Sequence, residues 1–244
     1  MIDIQSLVRE ALHIYTSFSY EIPKKPIDMT KSALAATVES TLLRPDAELS
    51  DFTHLCHMAI QYGFYAVCVP SSMIPLAKDI LNDHPTKIVS VAGFPCGNPH
   101  TEIKAKEAKL AIELGAHEID VVIHLGYLKS KQYEFALKDI QTVVDIAGEK
   151  PVKVILETGI LNKAEKIAAC IIAKEAGARF IKTSTGFNGP GATVEDVALL
   201  SYVVGRSMGV KASGGIRSFS EALKMIQAGA ARIGTSSGEA MILG

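Results

Sequence analysis

Residues 151–183, PVKVILETGILNKAEKIAACIIAKEAGARFIKT, spell out one strand–helix–strand unit. PVKVILE (151–157) is a short apolar run rich in β-branched residues, the pattern of a buried strand. NKAEKIAACIIAKEA (162–176) is amphipathic and long enough for a helix. Gly177 then ends that helix in the left-handed conformation that glycine reaches cheaply, and RFIKT (179–183) reads as the next strand. The same step recurs as ELGA at Gly115 and QAGA at Gly229, a short internal repeat. Working outward, further strand-like runs fall at 34–39, 64–69, 87–93, 117–123, 209–213 and 231–235, with helical stretches such as 101–114 between them. Alternating strands and helices predict a parallel sheet, and eight strands are the number that closes a (β/α)8 TIM barrel. The 244 residues match one such domain. An open doubly wound sheet is disfavoured, since no G-x-G-x-x-G follows the first strand and no P-loop occurs.

Ahead of the barrel, Ile4, Leu7, Val8, Leu12 and Tyr15 keep helical spacing until the two prolines of Glu21–Pro26 interrupt it. Residues 1–33 are therefore expected to form an N-terminal helix and linker docked on a barrel of residues 34–244. Hydrophobic residues make up 48% of the chain, enough for a large core. Lys+Arg (25) and Asp+Glu (26) nearly cancel, which argues against a nucleic-acid or membrane-surface partner. The N-terminus lacks the basic and continuous apolar segments of a signal peptide, and no apolar run reaches 18 residues. Cys56, Cys68, Cys96 and Cys170 are scattered without metal spacing. The expectation is a cytoplasmic protein without a metal. His54 and His57 share a helix, but no third ligand stands near them in sequence.

Barrel enzymes carry their chemistry at the carboxyl ends of the strands. Three charges stand out inside apolar strands there: Asp120 in EIDVVI, Lys182 in FIKTST and Lys211 in VKASGG. A buried lysine is costly in its charged form, so each needs either an ion-pair partner or a function. A second cation on the neighbouring strand would favour the neutral, nucleophilic form of an amine. Asp120 can serve as neutralising counter-charge, as proton-transfer group, or as both. Glycine- and serine-rich turns follow these strands: Gly186 in STGFNGPG, Gly214 and Gly215 in SGGIRS, Ser236 and Ser237 in GTSSGEA. Such turns supply N-caps, and they also present backbone N–H groups to a phosphate. The loops after strands seven and eight are the usual phosphate site of a barrel.

The segments EIDVVIHLGYLKS, KVILETG, FIKTSTGF and VKASGGIRSFSEALKMIQAGAARIGTSSG resemble the deoxyribose-phosphate aldolase family over about residues 34–243. ESTLLRPDA and VAGFPCGNPHTEIKAKEA look like that family's first and third strand regions. The resemblance implies a class I aldolase that cleaves 2-deoxy-D-ribose 5-phosphate reversibly to D-glyceraldehyde 3-phosphate and acetaldehyde, with no cofactor and no metal. It implies Lys182 as the Schiff-base lysine, Lys211 as the cation that keeps it nucleophilic, and Asp120 as proton donor and acceptor. The phosphate would lie against Gly186, Gly214, Gly215, Ser236 and Ser237, with Glu39, Thr41, Cys68 and Thr185 as further substrate contacts. A homo-oligomer, a dimer at the simplest, is implied as well. Departures are Glu39-Ser40-Thr41 in place of Asp-His-Thr, Arg44 in place of lysine, His124 in place of asparagine, and a sequence that stops at Gly244 without a terminal tyrosine. Glu157, in ILETG, ends a strand and is expected to orient a lysine or to balance charge. Two other classes share the phosphate loops without needing both lysines: a phosphosugar isomerase or synthase, and a non-catalytic phosphosugar-binding relative.

Overall fold

The computed structural model describes residues 3–21 and 27–244. Eight parallel strands close into a barrel: β1 (Val38–Thr41), β2 (Ala66–Cys68), β3 (Lys87–Ala92), β4 (Glu118–Val122), β5 (Val152–Ile155), β6 (Phe180–Lys182), β7 (Gly209–Ser213) and β8 (Arg232–Thr235). Each pairs with the next in sequence, and β8 returns to β1. The helices are α1 (Ile4–Tyr15), α2 (Lys31–Ala35), α3 (Leu49–Tyr62), α4 (Ile74–Leu81), α5 (Thr101–Leu114), α6 (Leu125–Lys129), α7 (Tyr133–Ala147), α8 (Lys163–Glu175), α9 (Val194–Val204), α10 (Phe219–Gln227) and α11 (Gly238–Leu243).

Seven strands fall inside their expected runs; the first does not. Residues 31–35 wind into α2 because the Thr30 hydroxyl accepts the Ala33 N–H at 3.1 Å, an N-cap ahead of an alanine-containing segment. The strand expected at 34–39 therefore starts at Val38 and runs on to Thr41. Asp3 caps α1, whose Ile4, Val8 and Ala11 are buried against α7 and α8. Of the proline-containing linker, residues 22–26 lie outside the described residues.

Period-two alternation sorts the strand side chains. Val38, Ile119, Val121, Val152, Val154, Ile181, Val210, Ala212 and Ile233 point outward into the apolar layer shared with the helices. The alternate set, Glu39, Glu118, Asp120, Lys153, Lys182 and Lys211, points into the barrel, as contacts between non-adjacent strands require. A barrel interior is usually filled by aliphatic layers; here one layer is ionic.

Gly115, Gly177 and Gly229 of the repeated step all have positive φ (120°, 84° and 112°). A Cβ at Gly177 would meet only ordinary contact at 3.5 Å, whereas one at Gly229 would meet Ser201 Oγ at 2.3 Å and Cβ at 2.6 Å. Gly177→Ala should cost about 1–2 kcal/mol through backbone conformation alone. Gly229→Ala should cost clearly more. Urea unfolding of both variants tests the order, and equal losses would mean that Ser201 yields freely.

Candidate active site

A cavity of about 310 Å3 opens at the carboxyl ends of β6, β7, β8 and β1. Lys182 forms part of its floor and is 2% exposed. Its Nζ donates to Asp120 Oδ2 at 2.9 Å. Lys211 Nζ, on the strand paired with β6, donates to the same oxygen at 2.8 Å. The other oxygen, Asp120 Oδ1, accepts from Lys153 Nζ at 2.9 Å.

These contacts belong to a closed charge network. Lys153 also pairs with Glu118 at 2.6 Å and Glu39 at 3.4 Å, and Lys211 donates to Glu39. Three lysines thus face three carboxylates. Beneath them the Tyr65 hydroxyl donates to Glu118 Oε1 at 2.5 Å, and the Arg232 guanidinium lies 3.8 Å over the Tyr65 ring. Gly234 makes room at the top, because a Cβ there would stand 2.9 Å from Lys211 Cε.

Burial raises the pKa of Asp120, but Lys153, Lys182 and Lys211 outweigh it and hold the carboxyl well below its ordinary range. Burial lowers the pKa of Lys211, and Asp120 and Glu39 reverse this, so the group is held above the usual lysine value and stays protonated. Lys153 behaves likewise, raised by Asp120, Glu39 and Glu118 against desolvation. The two lysines expected to act on each other by repulsion are therefore joined through one carboxylate oxygen.

The loops divide into two groups. Gly186, Gly214 and Gly215 have positive φ (85°, 91° and 78°) and line the cavity with Ser236, Thr41 and Thr185. Arg44 and Arg217 line it too, adding cations at its rim. Ser237 does not line the cavity; its N–H is given to Thr235 Oγ1 at 2.9 Å as α11 begins. Cys68 is fully buried with Ala66 and Val89 in a small inner cluster below, and burial pushes its thiol pKa up. Glu39 is equally buried, tied to Lys211 and Lys153 in place of a cavity wall.

Glu157, expected near a lysine, lies instead under the loop after β6. Its carboxylate accepts the Thr185 N–H at 3.1 Å, the Thr185 hydroxyl, and Asn188 Nδ2 at 3.3 Å. His124 caps α6, its Nδ1 accepting the Tyr127 N–H at 3.2 Å while its ring stacks on Tyr127 at 3.8 Å. His54 sits on the surface, 3.4 Å from Glu239. Among the described residues no cluster of His, Cys, Asp or Glu has metal-binding geometry. No helix among them is long and apolar enough to cross a membrane.

Sequence reasoning passed over Lys153 and Arg217. Lys153 was legible, since PVKVILE embeds a lysine among apolar residues as FIKTST does. Arg217 stands two residues after Gly215 in a loop already read as a phosphate site.

Comparison with known proteins agrees with this geometry. The family model described as "DeoC/LacD family aldolase" matches residues 25–244. A deoxyribose-phosphate aldolase of Thermococcus kodakarensis is 53% identical over 220 residues, covering 88% of this chain and 98% of that one. One from Thermotoga maritima is 47% identical over 243 residues, 99% of this chain and 97% of its own. The fold superposes on the tetrameric deoxyribose phosphate aldolase of Aeropyrum pernix with a TM-score of 0.82 at 32% identity, covering 98% and 96% of the two chains.

Lys153→Met removes the partner that Asp120 Oδ1 has among the described residues and the shared partner of Glu118 and Glu39. Breaking a buried pair from one side costs about 3–5 kcal/mol, and a loss of that size is expected at neutral pH. A carboxylate with a depressed folded pKa stabilises above its unfolded value, near ~3.9, and loses that contribution as pH falls through the folded value. Without Lys153 the folded value rises, so acid unfolding should begin at higher pH than in the unaltered protein. Thermal melts from pH 7 to pH 3 check both effects.

Proposed function

The chain belongs to the DeoC/LacD family of aldolases, and on that premise we propose that it cleaves 2-deoxy-D-ribose 5-phosphate reversibly to D-glyceraldehyde 3-phosphate and acetaldehyde through a Schiff base on Lys182. The observation that carries this reading is Lys182 itself: a strand lysine on the floor of the mouth cavity, hydrogen-bonded to a buried carboxylate that a second lysine shares.

In this scheme the neutral Lys182 amine attacks C1 of the open-chain sugar. Lys211, held protonated by Asp120 and Glu39, supplies a proton as the carbinolamine loses water. The resulting iminium is an electron sink. Asp120 takes the C3 hydroxyl proton, directly or through a water, and the C2–C3 bond breaks with its electron pair flowing to the enamine. The three-carbon aldehyde leaves. Asp120 then returns its proton to C2 of the enamine, and hydrolysis of the iminium so formed releases acetaldehyde, restores the amine and gives the remaining proton back to Lys211.

The phosphate is assigned to the open side of the cavity, where Gly186, Gly214, Gly215 and Ser236 offer backbone N–H groups and Arg44 and Arg217 offer charge. Thr41 and Thr185 line the path between phosphate and Lys182. Ser237, Cys68 and Glu39 are left to structural roles. Four unpaired cysteines suit a reducing compartment such as the cytoplasm. Because the Aeropyrum pernix relative is described as tetrameric, we read this chain too as forming a homo-oligomer.

Borohydride reduction in the presence of substrate, followed by mass mapping, should place one reduced adduct on Lys182. An isomerase, a synthase without a lysine intermediate, or a non-catalytic binder would leave that residue unmodified. Lys182→Ala should lose turnover by at least about 10^4-fold while the protein stays folded, with a lowered melting temperature because Asp120 loses a buried partner. Wild-type-like activity in that variant would remove the mechanism. Lys211→Leu leaves Asp120 and Glu39 short of one cation and favours the charged form of the remaining amine. Its pH–rate profile should therefore rise at higher pH, and an unshifted profile would count against electrostatic activation.

A further inference from the structure

Glu157 is 1% exposed, and none of the described lysines or arginines pairs with it. A buried carboxylate without a counter-charge is expensive, and this one also sits on a backbone with φ 60° and ψ 57°. Its solvation comes from neutral donors on one loop: the Thr185 N–H, the Thr185 hydroxyl and the Asn188 amide. Asn188 Nδ2 also donates to Pro95 O at 2.9 Å, and Phe94 meets Phe187 edge to face at 5.3 Å. The loops after β3 and β6 thus meet over the ends of β4 and β5, while the cavity stays open on the side of β6 to β1. One carboxylate anchors the β6 loop and, through Asn188, its contact with the β3 loop.

Glu157 touches none of the charge network around Lys182; it touches the segment beside it. Thr185, Gly186 and Phe187 form one wall of the cavity, and the Thr185 hydroxyl, engaged by Glu157, accepts the Phe187 N–H at 3.1 Å. That leaves the conformation of the wall set by Glu157, with Gly186 at positive φ. We propose that Glu157 is a positioning residue that pre-sets the Thr185–Phe187 wall for the phosphate end of the substrate, and so determines the preference for a phosphorylated over an unphosphorylated sugar. This rests on the aldolase reading given above.

The test compares 2-deoxyribose 5-phosphate with 2-deoxyribose in the unaltered chain, Glu157→Ala and Glu157→Gln. Glu157→Ala should raise KM for the phosphorylated sugar by about tenfold and leave its kcat within about twofold, because the lost interactions are uniform binding. kcat/KM for the unphosphorylated sugar should stay within about twofold. Glu157→Gln retains an acceptor for the Thr185 N–H and should fall between the two. If Glu157→Ala does not fold, Asn188→Ala keeps the comparison available, with the same direction and a smaller effect. Equal losses with both sugars would mean that Glu157 only maintains structure, and an unchanged KM would overturn the proposal outright. No cleavage of either sugar by the unaltered chain would instead sink the aldolase reading, which borohydride trapping at Lys182 tests separately.

Discussion

Asp120 occupies the centre of the barrel with both carboxylate oxygens committed: Oδ1 to Lys153, Oδ2 to Lys182 and Lys211. Everything distinctive in the interior follows from the need to keep that group ionised away from water. Asp120 is shared by three lysines, and Glu39 and Glu118 add further carboxylates to Lys153 and Lys211. Charges in a protein interior repay their desolvation only when all are paired in good geometry. Each charged group here has at least one opposite partner, although Glu39 Oε1 and Glu118 Oε2 lack a hydrogen bond, and the partners come from β1, β4, β5, β6 and β7, so the barrel must close before its centre can exist.

Closure also explains why a chain of nearly neutral net charge carries an ionic layer inside an apolar shell. The outward face of each strand supplies the hydrophobic burial that stabilises the fold, through residues such as Ile119, Val154 and Ile181 against the helices. The inward face is then free to carry groups that a simple core would exclude. Stability and chemistry reside on opposite faces of the same short strands. Two residues apart along β4, Glu118 and Asp120 both point inward, one toward Tyr65 at the lower end and the other toward the mouth.

The mouth is asymmetric. Over β4 and β5 the loops after β3 and β6 meet through Asn188, Pro95, Phe94 and Phe187, whereas the glycine turns after β6 and β7 leave the opposite side open. Lys182 therefore faces a cavity that opens on one side. Gly215, Ser236 and Arg217 line that open side. Water is held off the side where Asp120 lies, which strengthens every interaction that the carboxylate makes.

The sequence by itself determined the barrel, because hydrophobic period and glycine punctuation are local signals: eight apolar runs, and the ELGA, EAGA and QAGA steps at Gly115, Gly177 and Gly229. It also marked Asp120, Lys182 and Lys211, since a charge inside an apolar strand is conspicuous in one dimension. It misjudged the first strand, where the Thr30 cap drew residues 31–35 into a helix. It set Cys68, Glu39 and Ser237 beside the substrate, although strand ends near the mouth can still point below it or into a helix turn. Only the tertiary structure decided which charges meet. That Lys153 holds Asp120 from behind, that Lys211 reaches across to Glu39, and that Glu157 serves Thr185 instead of a lysine are relations between segments far apart in sequence, fixed by barrel closure and strand register. Local pattern carries the identity of a buried charge, but its partner is set by a distance that only the folded chain defines.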